Sequence, residues 1–243
     1  MDFTSDQHLD DGVLERRFDL DGIPGILWTP EHTPTPAPLI LLGHPGGLDR
    51  MYPRLVGRAL HSAADGYAAA TIELPGAGER PRTEAVEQAR ADLQRAIRAG
   101  EPVPGEVVDR LVLPLVEVAG PGWRAALDAL LALPGIGGPV GFSGGIVSIA
   151  VRLALVEPRI AAALLFAGSF VPDAILDDAR RVTVPLLMLL QWDDEGNDRQ
   201  MALDLFDALG SKEKTLHANT GGHTGVPGFE GDDAGRFFRR HLR

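Results

Sequence analysis

Five short apolar runs, at residues 39–42, 67–74, 140–142, 161–166 and 186–190, punctuate this chain, and stretches with helical spacing lie between most of them. A strand covered on both faces reads as a continuous apolar run, whereas a half-exposed strand alternates. Parallel neighbours also need a crossover of about a dozen residues or more, most often a helix. The pattern therefore predicts an α/β architecture: a mostly parallel sheet flanked by helices.

Helices are expected over 53–65, 83–99, 105–117, 122–133, 144–156, 199–210 and 232–241. Residues 13–20 and 23–29 flank Asp21-Gly22 and predict an antiparallel hairpin ahead of the parallel part, followed by a Pro-rich loop over 31–38. A last strand is expected over 212–218. Residues 80–120 exceed what a crossover needs and form a small helical insert after the fourth strand. Its charged face suits either a cap beside a pocket or an outward decoration, and both readings stay open. No repeat and no linker interrupts residues 1–243, so one domain is expected.

The chain has no cysteine, which removes disulfides, thiolate metal sites and a cysteine nucleophile. A formal charge of −11 disfavours nucleic acid and anionic membranes as partners. The start, acidic and polar through residue 12, lacks the basic and apolar regions of a secretory signal, and a cytoplasmic location is expected. The seven histidines show no metal-ligand spacing, so no metal is expected.

Gly141-Phe142-Ser143-Gly144-Gly145 fits the pattern G-x-S-x-G, and it falls between a predicted strand and a predicted helix. At such a turn a serine is lifted clear of the sheet, and the helix N-terminus offers N–H groups to a developing oxyanion. A serine N-cap would spell the same way. Two later features favour chemistry. Asp193 and Asp194 follow the run 186–190, and His223 lies in a Gly-rich loop after the last strand. A carboxylate orienting an imidazole that takes the serine proton is acyl-transfer chemistry, and the order Ser, Asp, His suits a parallel sheet. Asp194 is preferred over Asp193, and His223 over His217, which falls within a strand. Residues 39–50 resemble an oxyanion loop in which Pro45 has no N–H, so Gly46 and Gly144 are the expected donors, with His44 bracing the loop. Leu48, Met51, Tyr52, Phe142, Phe170 and Trp192 are candidates for an apolar substrate wall.

With these residues assembled, the chain resembles the α/β-hydrolase superfamily, particularly its dienelactone-hydrolase-like serine esterases. The resemblance implies an eight-stranded, mostly parallel sheet and no metal or organic cofactor. It implies cleavage of a small-to-medium carboxylic ester through an acyl-enzyme on Ser143, with peptidase, amidase, thioesterase or acyltransferase action as alternatives. Serine stands where true dienelactone hydrolases carry cysteine, so that particular activity is not implied. A small-molecule substrate and a monomer or homodimer are expected. The connection 169–182 is too short for a large lid. A ligand-binding protein that keeps the fold without catalysis is the contrasting class.

Overall fold

The computed structural model describes residues 1–9, 12–32 and 36–242. Its elements, in chain order, are β1 (Asp2–Leu9), β2 (Val13–Leu20), β3 (Ile23–Pro30), β4 (Ala37–Gly43), α1 (Leu48–Ala64), β5 (Ala68–Ile72), α2 (Glu84–Ala99), α3 (Gly105–Leu131), β6 (Ile136–Gly144), α4 (Val147–Val156), β7 (Ile160–Phe166), α5 (Asp173–Ala179), β8 (Leu186–Gln191), α6 (Arg199–Ala208), β9 (Lys214–Asn219) and α7 (Phe229–His241). The nine strands form one sheet in the order β1-β2-β3-β5-β4-β6-β7-β8-β9. Strands β5, β4, β6, β7, β8 and β9 run parallel, while β1, β2 and β3 join antiparallel.

Strands β2 to β9 are the eight expected, and β1 adds a ninth. Its burial pattern is almost wholly exposed, so no apolar alternation marked it. Backbone pairing with β2 holds it, helped by Arg16 lying 4.3 Å from the Phe3 ring centre. Part of the expected Pro-rich loop, residues 33–35, lies outside the described residues.

Alternate side chains along β4 serve opposite layers, which is why that strand is apolar throughout. Leu39 and Leu41 join Trp123 of α3 and Phe142 on one face. Ile40 and Leu42 join Trp28, Leu55 of α1 and Phe238 of α7 on the other. Gly141 of β6 lets α7 press close, since a Cβ there would sit 2.8 Å from the Phe238 ring. No helix among the described residues is long and apolar enough to cross a membrane.

Three helices depart from expectation. The stretches 105–117 and 122–133 are one helix, α3, despite Pro114 and Pro121 inside it. Both prolines are exposed, so the carbonyls left without N–H partners are on the solvent side. The stripe Val112, Val116, Ala119, Trp123, Leu127 runs unbroken past them, and its burial holds the helix together. Helix α1 starts at Leu48 rather than near Pro53, because the Glu73 carboxylate accepts from the Leu48 N–H at 3.1 and 3.2 Å and caps it from outside. A short α5 occupies the connection 169–182 and was not expected.

Candidate active site

The loops leaving the C-terminal ends of β4, β6, β7, β8 and β9 converge on one side of the sheet, where parallel α/β sheets hold their ligands. After β8, Asp194 is buried at its carboxylate, with 4% of the side chain exposed, while 45% of the His223 side chain stays open. His223 Nδ1 lies 2.7 Å from Asp194 Oδ2. Burial would raise the Asp194 carboxyl, but hydrogen bonds from His223, from Asn197 (2.8 Å) and from the Gly196 N–H (3.0 Å) outweigh it and hold the group below its ordinary range. An ionised carboxylate there fixes the Nδ1–H tautomer and leaves Nε2 free to accept a proton.

The neighbouring carboxylates divide the work. Asp193 accepts from the Gly221 N–H at 3.0 Å and ties the histidine loop to the acid loop. His217 lies on the opposite layer, 2.8 Å from buried Glu230, which also accepts from Asn219. His217, Glu230 and Asp233 are the one group of three or more His and carboxylate residues among the described residues with ligand atoms within 4.8 Å of one another. Asp233 is already engaged by Arg236.

On the loop after β4, His44 is buried and its Nε2–H donates to the Ile72 carbonyl at 2.9 Å. Burial pushes its pKa down despite that hydrogen bond and the nearby Glu73, so the ring stays neutral. Gly46 and Gly47 then line a cavity of about 1450 Å³, together with Asp194, His223, Phe170 and Ile146.

Ser143 does not line it. The residue belongs to β6, is 7% exposed, and its Oγ accepts from Arg58 Nη2 of α1 at 3.0 Å. Its neighbour Phe142 packs edge-on against Trp123 in the α3 layer, so strand alternation turns Ser143 to the α1 layer, where Arg58 lies. No hydrogen bond joins Ser143 to His223 among the described residues. Gly144 sits beside the same guanidinium, and Gly144 and Gly145 both take positive φ, 71° and 77°. A Cβ on Gly145 would meet Gly43 at 2.7 Å, so only glycine fits this crossing. The strand thus runs two residues beyond the expected turn, and Ile146, the N-cap of α4, faces the cavity instead.

Of the expected apolar wall, only Phe170 lines the cavity. Leu48, Met51 and Tyr52 pack in the α1 layer, with the Tyr52 hydroxyl on Glu15, and Phe142 is in the core. Trp192 is 42% exposed under Arg199. The wall comes instead from the insert, through Val86 and Leu93 of α2 and Leu111 and Leu115 of α3. Sequence reasoning also missed Asn197, which no motif marks, and Ser169, whose buried hydroxyl in the cavity wall has no hydrogen-bond partner among the described residues.

No protein-family model matches the chain, and no curated protein matches it. Solved structures do. A cold-adapted esterase from an Arctic intertidal metagenomic library, in a zinc-bound structure, is 26% identical with a TM-score of 0.73 over 100% of both chains. A structure of such an esterase bound to PEG gives 29% and 0.69, again over 100% of each. An acetyl xylan esterase from Paenibacillus sp. R4 shares the fold at 18% identity and a TM-score of 0.66, over 99% of this chain and 88% of the other.

Proposed function

We propose that this chain, an α/β-hydrolase by fold, hydrolyses carboxylic esters with His223 as general base and Asp194 as its orienting carboxylate. The observation that carries the reading is the 2.7 Å contact between His223 Nδ1 and Asp194, which leaves Nε2 unpaired at the wall of a large cavity beside Gly46. The likeness to esterases at 26–29% identity supports the same reaction class.

The nucleophile best supported by this geometry is water. His223 Nε2 takes a proton as the water oxygen adds to the ester carbonyl, and the tetrahedral oxyanion meets the Gly46 N–H and the N-terminus of α4. Collapse expels the alcohol oxygen, which recovers the proton from His223, and the carboxylic acid is released. Ser143 stays on Arg58 throughout.

A second reading keeps the acyl-enzyme on Ser143, with Gly144 as the further oxyanion donor. What favours it is the spelling of residues 141–145 and the pair of positive-φ glycines, which could act as a joint when β6 shortens and turns the serine toward His223.

Turnover of p-nitrophenyl esters by wild type, His223→Ala and Ser143→Ala, with fluorophosphonate labelling read by mass spectrometry, separates these routes. Loss in His223→Ala with activity kept in Ser143→Ala and no label supports water. Loss in both variants, with the label on Ser143, supports the acyl-enzyme. A wild-type protein inert toward ester, thioester and peptide substrates would sink the catalytic reading and leave a binding role.

A further inference from the structure

We infer that the substrate of this site, on the ester-hydrolase reading, carries a large apolar group that seats between α2 and α3. The cavity beside His223 measures about 1450 Å³. Pockets for ordinary small ligands hold about 300–1,000 Å³. An acetyl or methyl ester would leave most of this space to water.

The insert explains where the space comes from. Helix α2 has sixteen residues and one fully buried side chain, Ala89. It therefore adds little to the core, and the Asp92–Arg110 ion pair at 3.0 Å helps hold it on α3. Its inward residues Val86 and Leu93 remain half-buried, as do Leu111 and Leu115 on the facing helix, and all four line the cavity. Val118, 53% exposed, continues the same wall. Apolar surface gathered in one concave wall and left uncovered is the signature of a ligand surface, since the core gains nothing from it. Asp194, His223 and Gly46 line the same cavity, where the reacting ester would lie, and the charged Glu87 and Arg90 of α2 line it as well. An apolar wall beside the Asp194–His223 pair fits an ester with one polar reacting end and one long apolar arm, and the arm is either the acyl chain or the alcohol.

Two series test this: p-nitrophenyl esters from acetate to decanoate, and alkyl acetates from methyl to decyl. In at least one series kcat/KM should climb roughly two- to fourfold per methylene over several methylenes, the gain expected when each is buried. Flat profiles in both, or a maximum at the shortest member of each, overturn the inference. Leu93→Trp and Leu111→Trp should each cut the long-to-short ratio by about tenfold or more, equivalent to several buried methylenes. Ile97→Trp, on an exposed part of α2 outside the cavity, should leave the ratio and the basal rate unchanged. Calorimetric binding of decanoate and acetate to the wild-type protein gives a readout independent of turnover and of how the tryptophan variants fold. Decanoate binding without ester turnover would end the catalytic reading and keep this one. Ester turnover indifferent to chain length, with no decanoate binding, would do the reverse.

Discussion

The Arg58 guanidinium clasps the end of β6 from beneath, donating to the Ser143 hydroxyl at 3.0 Å and to the Ser143 carbonyl, while its other nitrogen donates to the Gly43 carbonyl at 2.8 Å. One side chain of α1 thereby ties together β4 and β6, the strands that lead into the His44–Gly47 loop and the α4 turn. Desolvation lowers its pKa to about 10, and no carboxylate among the described residues is paired with it. The cost of sinking this cation is offset by two carbonyl oxygens and one hydroxyl.

Arg58→Leu should therefore destabilise the protein by about 2–4 kcal/mol, because two strand-end carbonyls lose their partner where water reaches poorly. Ser143→Ala removes one acceptor of three and should cost about 1 kcal/mol or less. Urea unfolding of the two variants gives both numbers. Equal costs would mean that the serine, not the strand pair, is what Arg58 serves.

That contact also marks where sequence reading stopped. Five apolar runs identified β4 to β8, because burial on two faces leaves a mark on every residue, and the segments flanking Asp21-Gly22 and residues 212–218 added β2, β3 and β9. Strand β1 carries none, since it pairs through its backbone at an exposed edge. The meeting of Asp194 and His223 was legible because each follows a strand in a loop too polar for the core, and the sheet brings strand ends together. The placement of Ser143 was not legible. A strand that runs on by two residues keeps Ser143 within the pleat, so its hydroxyl points to one face of the sheet and does not rise from the turn, and two consecutive positive-φ glycines follow it. The insert's role was hidden for a related reason, as its residues point into a space whose other walls lie far along the chain.

Asp194→Asn should lower kcat by roughly 10³–10⁴-fold with little change in KM, because the amide no longer holds the imidazole in the Nδ1–H tautomer or balances its charge. Both proposed nucleophile routes need that tautomer, so steady-state kinetics on this variant tests the base pair independently of Ser143. A loss under about tenfold would remove Asp194 from the mechanism. The carboxyl is held below its usual range, so its contribution to stability is present above that range and is lost as pH falls through the folded value. Acid unfolding of Asp194→Asn should accordingly begin from a lower stability and fall less steeply below about pH 4 than that of the wild type.

His44 gives the fold a pH dependence nearer neutrality. Its folded pKa lies below 6.5 because burial disfavours the charged ring. Above pH 6.5 the ring is neutral in both states and costs nothing. As pH falls below 6.5 the unfolded chain gains a proton that the folded chain refuses, so stability drops on the acid side until the folded group also titrates. Between pH 6.5 and 5.5 one such proton is worth at most about 1.4 kcal/mol. His44→Gln keeps an N–H donor within reach of the Ile72 carbonyl and cannot titrate, so its stability change from pH 7.5 to 5.5 should be smaller than that of the wild type by up to this amount. Urea midpoints at the two pH values measure the difference. A variant with the same pH slope as the wild type would show that the ring is not kept neutral in the loop after β4.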